Sequence, residues 1–243
     1  MGLIDFQTVL GRMLREQNRD DHLRGVSLEE GENRYLQNLQ GTAEFRFYAS
    51  VQRSWCIARS AKAAHLTLSL LPVEERERLL NEWVDSGSGA QSFFGVEAEM
   101  FLDFLGGHLS DRPFELTVCQ FEGATLRAST GASLFEAPDV AALQISDSCV
   151  RRGDYAAVVH FAADTDQVSI QSHERLTDLF SAGMIVMFSP GHPQLWHEPT
   201  SEELDLWDAL DSPVAVTTLL AHGHPLETLE RMLGHGAIEL CGR

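Results

Sequence analysis

Apolar residues recur at helical spacing from the start of the chain. Leu3, Phe6, Val9, Leu10, Met13 and Leu14 share one face over residues 3–17, with Asp5 near the start as a cap, and predict an amphipathic helix. Ser27 and Glu30 have capping-box spacing and open a short helix through Tyr35, Leu36 and Leu39 that Gly41 closes. From Thr42 onward, Phe45, Tyr48, Ala49, Trp55, Cys56, Ala63 and Ala64 predict a long helix with Trp55 and Cys56 turned inward, which the β-rich "HLTLSLL" then ends. Pro72 restarts a helix, "VEERERLLNEWV", with Leu79, Leu80 and Trp83 on one side. The glycine- and serine-rich "DSGSGAQS" of residues 85–92 reads as a hinge or contact loop. "FFGVEAEMFLDFLGGHL" is helical as far as Gly106-Gly107. Pro113 opens "FELTVCQFEGATLRAS", which is ambiguous by period and is taken as helix.

Near residue 140 the period changes from helical to alternating. "AALQIS", "YAAVVHFA", "QVSIQS" and "MIVMFS" are short β-branched or aromatic segments separated by "SCVRRGD", "ADTD" and "SAG". They predict an antiparallel sheet over residues 141–189, with a hairpin through Ala163-Asp164-Thr165-Asp166 as its centre. Beyond "SPGHPQLWHEP" the helical period returns. "TSEELDLWDAL", capped by Ser201, is followed after short breaks by "SPVAVTTLLAHG" and "PLETLERMLGHGAIEL", in which "AIEL" reads as a strand. Three short helices and a strand match a winged helix-turn-helix. The expected fold is therefore α+β: a helical bundle over residues 1–135, then a small antiparallel sheet and a winged helix-turn-helix-like module over residues 136–243.

Charge changes how that module is read. The 243-residue chain has 18 Lys and Arg against 36 Asp and Glu, and its excess acid lies almost wholly beyond residue 85. Such a surface repels phosphate backbones and anionic lipid, so neither nucleic acid nor a membrane is an expected partner. The recognition-helix candidate "PLETLERML" carries Glu227 and Glu230 against Arg231. A transcription regulator remains the alternative, but the physical fit is to a peptide, which can add as a strand to an unpaired sheet edge. The sheet of residues 141–189 offers a second such edge, with Tyr155, Val158, His160, Val168 and Ile170 as peptide-binding candidates.

No self-sufficient catalytic set emerges. Cys56, Cys119, Cys149 and Cys241 lie far apart without metal-ligand spacing, and read as free thiols in a reducing compartment. Cys56 flanked by Arg53 and Arg59 suggests a nucleophile, giving a stand-alone enzyme as a further alternative; a buried thiol beside salt-bridging arginines fits the spacing better. His192, His197, His222, His224 and His235 lack helical metal-ligand spacing, so no metal is expected. The opening residues lack a signal-peptide pattern and no long apolar run occurs, so the expected location is the cytoplasm.

"RSWCIARSAKAAHLTLSLLP", "LLNEWV", "SFFGVEAEMFLDFL" and "ELTVCQFEGATLRAS" together resemble, in order and spacing over about residues 35–135, the MbnC/TglI-like partner subunits of ribosomal peptide natural-product biosynthesis. The resemblance implies a non-catalytic subunit without a cofactor of its own. It would form a heterodimer with a TIM-barrel, multinuclear non-haem iron enzyme of the MbnB/TglH type and present a precursor peptide's cysteine to that iron. Arg53, Trp55, Arg59, Ser86 and Ser88 are the partner-interface candidates. The expected outcome is 3-thiaglutamate-type β-carbon excision in preference to methanobactin-type oxazolone and thioamide formation.

Overall fold

The computed structural model describes residues 3–15, 28–86, 94–144, 148–161 and 183–241. The backbone divides into two compact units, Met1–His108 and Leu109–Arg243. The expected boundary at 135/136 falls inside the second unit. Among the described residues no helix is long and apolar enough to cross a membrane.

In the first unit the described elements are helices: α1 (Leu3–Arg15), α2 (Glu30–Gln40), α3 (Ala43–Ala63), α4 (His65–Leu70), α5 (Val73–Asp85) and α6 (Phe94–His108). Their ends follow local chemistry. Glu29 and Glu32 form the capping box of α2, with Gly41 at its C-terminus; the expected cap Ser27 lies outside the described residues. The Thr42 hydroxyl accepts the Phe45 N–H at the start of α3. "HLTLSL" is helical as α4 and not a β-rich terminator, because its leucines are strong helix formers and Thr67 and Leu68 are buried in that conformation. Val9, Met13, Leu36, Phe45 and Ala49 form one core cluster. A second region places Trp83 against Phe101 and Phe104, each with ring centroids 5.4 Å away.

The second unit begins with α7 (Pro113–Ala132), helical as expected, which packs on β2 (Ala157–His160) and β3 (Ile185–Phe188). One three-stranded antiparallel sheet runs β2-β3-β4, where β4 is Trp196–His197. The other runs β5-β1-β6: Val214–Ala215, Cys149–Arg152 and Ile238–Leu240. Between these strands lie α8 (Ser201–Asp208), α9 (Val216–Ala221) and α10 (Leu226–Gly234). The cap of α8 is Thr200, one residue before the expected Ser201. Leu206, Leu210, Val216, Leu219, Leu229, Leu233 and Ile238 close a common core with Val150 and Met187.

Three expectations are corrected in this unit. Residues Val140–Gln144 form a short 3-10 helix and not a strand. "CVRR", taken as a connection, is the central strand β1. Cys149 and Cys241, expected as free thiols, form a disulfide with a Cα–Cα distance of 5.3 Å, because β1 and β6 pair antiparallel and bring them opposite one another. The expected hairpin at residues 163–166 and the segment "QVSIQS" lie outside the described residues.

Candidate functional site

The site is organised by β6. Its register against β1 pairs Val150 with Leu240, Arg151 with Glu239 and Arg152 with Ile238. Cys241 N–H donates to Cys149 O at 2.8 Å and Gly153 N–H donates to Ala237 O at 2.9 Å. In an antiparallel ladder hydrogen-bonded pairs alternate, so these two bonds, with Arg151 and Glu239 between them, direct the N–H and C=O groups of Ile238 and Leu240 away from β1. Among the described residues no other strand pairs with β6. It is an open edge of the kind that accepts an extended segment.

Beside this edge lies a cavity of about 340 Å³ whose walls include Leu134, Phe135, Tyr155, Leu233, Ile238 and Leu240. That volume is at the small end for ligand pockets and suits one or two side chains better than a bulky cofactor. Two glycines hold its shape. A Cβ on Gly131 would come within 2.5 Å of Tyr155, and one on Gly236, whose φ is +72°, within 2.6 Å of the Phe135 ring. Glu136, Asp154 and Glu239 also line the cavity. Arg151 pairs with Glu239 and, at 3.2 Å, with Asp154, leaving the rim acidic.

No known protein-family model and no curated protein matches this chain. The chemistry of the site therefore has to be read from its own residues.

A polar cluster fastens one wall of the cavity. The Gly191 N–H donates to His235 O at 2.8 Å, tying the loop after β3 to the end of α10. His192, His197 and His235 gather there, with ring centroids 4.9 Å apart for His192–His197 and 5.2 Å for His192–His235. Buried Glu203 accepts from Thr200 N–H at 2.8 Å and from Arg231 Nε at 2.9 Å, and its Oε2 lies 3.3 Å from His197 Nε2. These are three of the five histidines over residues 192–235, and nothing in their spacing along the chain signals that they meet. Among the described residues no group of three or more His, Cys, Asp or Glu is placed to hold a metal ion.

This cluster makes stability depend on acid. Burial first, then the charges of His197 and His235, hold His192 below the ordinary imidazole value, against the pull of Glu203. Burial and His197 do the same to His235, aided by Arg231 and opposed by Glu203. Burial pushes the Glu203 carboxyl up, but the Thr200 N–H and Arg231 outweigh it and leave the group below its ordinary value. For all three groups the unfolded chain binds protons before the folded one, so stability is present at neutral pH and declines as pH falls below about 6.5. Urea midpoints measured across that range should decline with acid, and His192→Gln should flatten the upper part of the decline. A midpoint that rises on acidification from pH 7 contradicts this reading.

The residues expected from sequence are distributed unevenly. Tyr155 lines the cavity. Val158 pairs with Met187 and packs against the core, while His160 pairs with Ile185 and is exposed. Val168 and Ile170 lie outside the described residues, as does Ser88. In the first unit Arg53 is held by Asp85 at 2.5 Å, Asn81 at 2.6 Å and the Arg15 carbonyl at 2.8 Å. Arg59 reaches the buried carboxylate of Glu97 at 2.6 Å. Ser86 caps α5, its hydroxyl donating to Trp83 O at 2.7 Å. Trp55, expected to pack inward, is 62% exposed. Cys56 is buried, and burial, then Glu97, pushes its thiol up against the opposing pull of Arg15, Arg59 and Arg53. A protonated thiol packed in a helix interface is a poor nucleophile.

The cavity wall from Leu134 to Pro138, with Leu233 and Gly236, was missed by the sequence reading. The signal available in the sequence was indirect: glycines at 131, 191 and 236 in otherwise ordered segments mark places where another group comes close.

Proposed function

We propose that this chain is a non-catalytic peptide-recognition subunit. It binds an extended segment of a ribosomally made precursor peptide along β6 and presents the peptide's cysteine to a TIM-barrel multinuclear iron enzyme in a heterodimer. The observation that carries the peptide part is the open β6 edge beside an apolar cavity with an acidic rim. Backbone pairing supplies affinity with little sequence demand, and the cavity supplies selectivity for one apolar side chain. The acidic rim favours a basic residue next to that anchor.

In this reading α8, α9, α10 and β6 serve as a winged helix-turn-helix put to peptide binding, and the first unit is a helical bundle. Glu227 and Glu230 on α10 disfavour DNA. The iron-enzyme partner and its 3-thiaglutamate-type chemistry are supported by the resemblance to MbnC/TglI-like subunits.

The test has two readouts. A dye-labelled precursor with an apolar residue next to an Arg or Lys should bind the purified chain in fluorescence anisotropy, and an acidic version of the same peptide should bind at least about tenfold more weakly. A co-expressed barrel enzyme should co-purify with the chain and modify the precursor only in its presence. Full turnover by the enzyme alone would end the subunit reading; loss of selectivity for the basic peptide would end the assignment of the site.

A further inference from the structure

The outer face of α3 is unusual for a helix of a folded unit. Phe47, Tyr48, Val51 and Trp55 are 65%, 63%, 43% and 62% exposed, and form one apolar stripe. The buried residues Phe45, Ala49, Cys56 and Ser60 occupy the other side. Along the stripe, Glu44, Tyr48, Val51, Trp55, Ala58 and Lys62 are separated by steps of four and three residues, which is the spacing of a coiled-coil seam. With a rise of 1.5 Å per residue the seam is about 27 Å long.

The order of residues in that seam is self-complementary when reversed. Taken antiparallel about the level of Arg53, Glu44 meets Lys62, Tyr48 meets Ala58 and Val51 meets Trp55. Each large side chain then faces a small or β-branched one, and each charged end faces its opposite. A parallel arrangement would instead set Glu44 against Glu44, Lys62 against Lys62 and Trp55 against Trp55. Neither Glu44 nor Lys62 has an ion-pair partner among the described residues. The Trp55 ring is also steadied in place: the Arg59 guanidinium lies 5.5 Å from its centroid while pairing with buried Glu97.

We propose that α3 pairs antiparallel with α3 of a second copy of this chain, about a two-fold axis level with Arg53, with Glu44 of each copy facing Lys62 of the other. An isologous contact of this kind needs one patch that complements itself, which is what the seam supplies. Charged residues at the seam ends fix the register, and the central Tyr48 and Trp55 provide the anchoring area. A single helix pair of this length buries less than the about 800 Å² per partner of a standard interface, so the dimer should dissociate in the micromolar range. The inference reassigns Trp55 from contact with a different protein to contact with a second copy. It rests on the first unit alone and does not depend on the peptide reading.

Sedimentation velocity on the full chain, from low to high micromolar concentration, tests it. The parent chain should show a reversible shift from monomer to dimer. Glu44→Lys should weaken the dimer about tenfold or more, since it creates two Lys–Lys contacts per dimer, and Glu44→Lys combined with Lys62→Glu should restore it to within about threefold of the parent. Glu44 and Lys62 are both exposed, so circular dichroism should stay unchanged. Trp55→Ala should leave a monomer. A parent chain that stays monomeric throughout overturns the proposal and gives the seam to another protein. A Glu44→Lys variant that dimerises as well as the parent overturns the antiparallel arrangement, because a parallel pair would merely exchange one like-charge contact for another.

Discussion

Glu203→Ala is expected to destabilise the second unit by about 3 kcal/mol, the lower end of the range for breaking a buried ion pair. The Glu203 side chain is 3% exposed and serves three neighbours. It completes the α8 capping box through Thr200 N–H, holds Arg231 and lies against His197. Alanine leaves the half-buried His197 imidazole without its carboxylate neighbour and the Thr200 N–H without its partner. Arg231 is 41% exposed and can turn to water, which keeps the loss from the upper end of the range. Glu203→Gln retains an acceptor for Thr200 and should cost about half as much. Urea unfolding followed by tryptophan fluorescence reads both variants. An alanine variant within about 0.5 kcal/mol of the parent would mean that the cluster does not hold the unit together.

The second large effect concerns peptide affinity. Leu240→Pro removes an N–H that faces the open edge and places the proline ring where an added strand would lie, while leaving the bonds to β1 intact. Proline is tolerated on an edge strand when its missing N–H would have pointed outward. Peptide binding should therefore fall tenfold or more with little change in thermal stability. Glu239→Pro, one residue earlier, deletes the N–H that bonds to β1 and should unfold the sheet. If the two substitutions behave alike, in affinity and in stability, the edge assigned to the peptide is wrong.

Much of the first unit was legible because its helix ends carry their own chemistry. Thr42, Gly41 and Pro72 mark boundaries within a residue of where the helices begin or end. Trp55 was misplaced for a geometric reason: adjacent residues on a helix differ by about 100° in direction, so Trp55 and Cys56 cannot share one inward face. β1 was hidden by its two arginines, whose charges suggest a loop. In the fold both are neutralised, Arg151 by Asp154 and Glu239, Arg152 by Asp211 at 2.7 Å and by the Trp207 carbonyl. Glu239, Asp211 and Trp207 are distant from these arginines in sequence, as are Phe135 and Gly236 from one another at the cavity. Local period carries no information about them.

The bond between Cys149 and Cys241 spans 92 residues and fastens the last described strand to the centre of its sheet. A three-residue strand paired on one side only would ordinarily fray, and an incoming segment would have to order it before pairing with it. With β6 anchored at Cys241, the receiving half of such a pairing is already rigid, and the ordering entropy falls on the arriving segment alone. The same edge with two separate thiols would present a softer template, so in the proposed peptide complex the redox state of this one pair would set how much of the recognition is built in before the segment arrives.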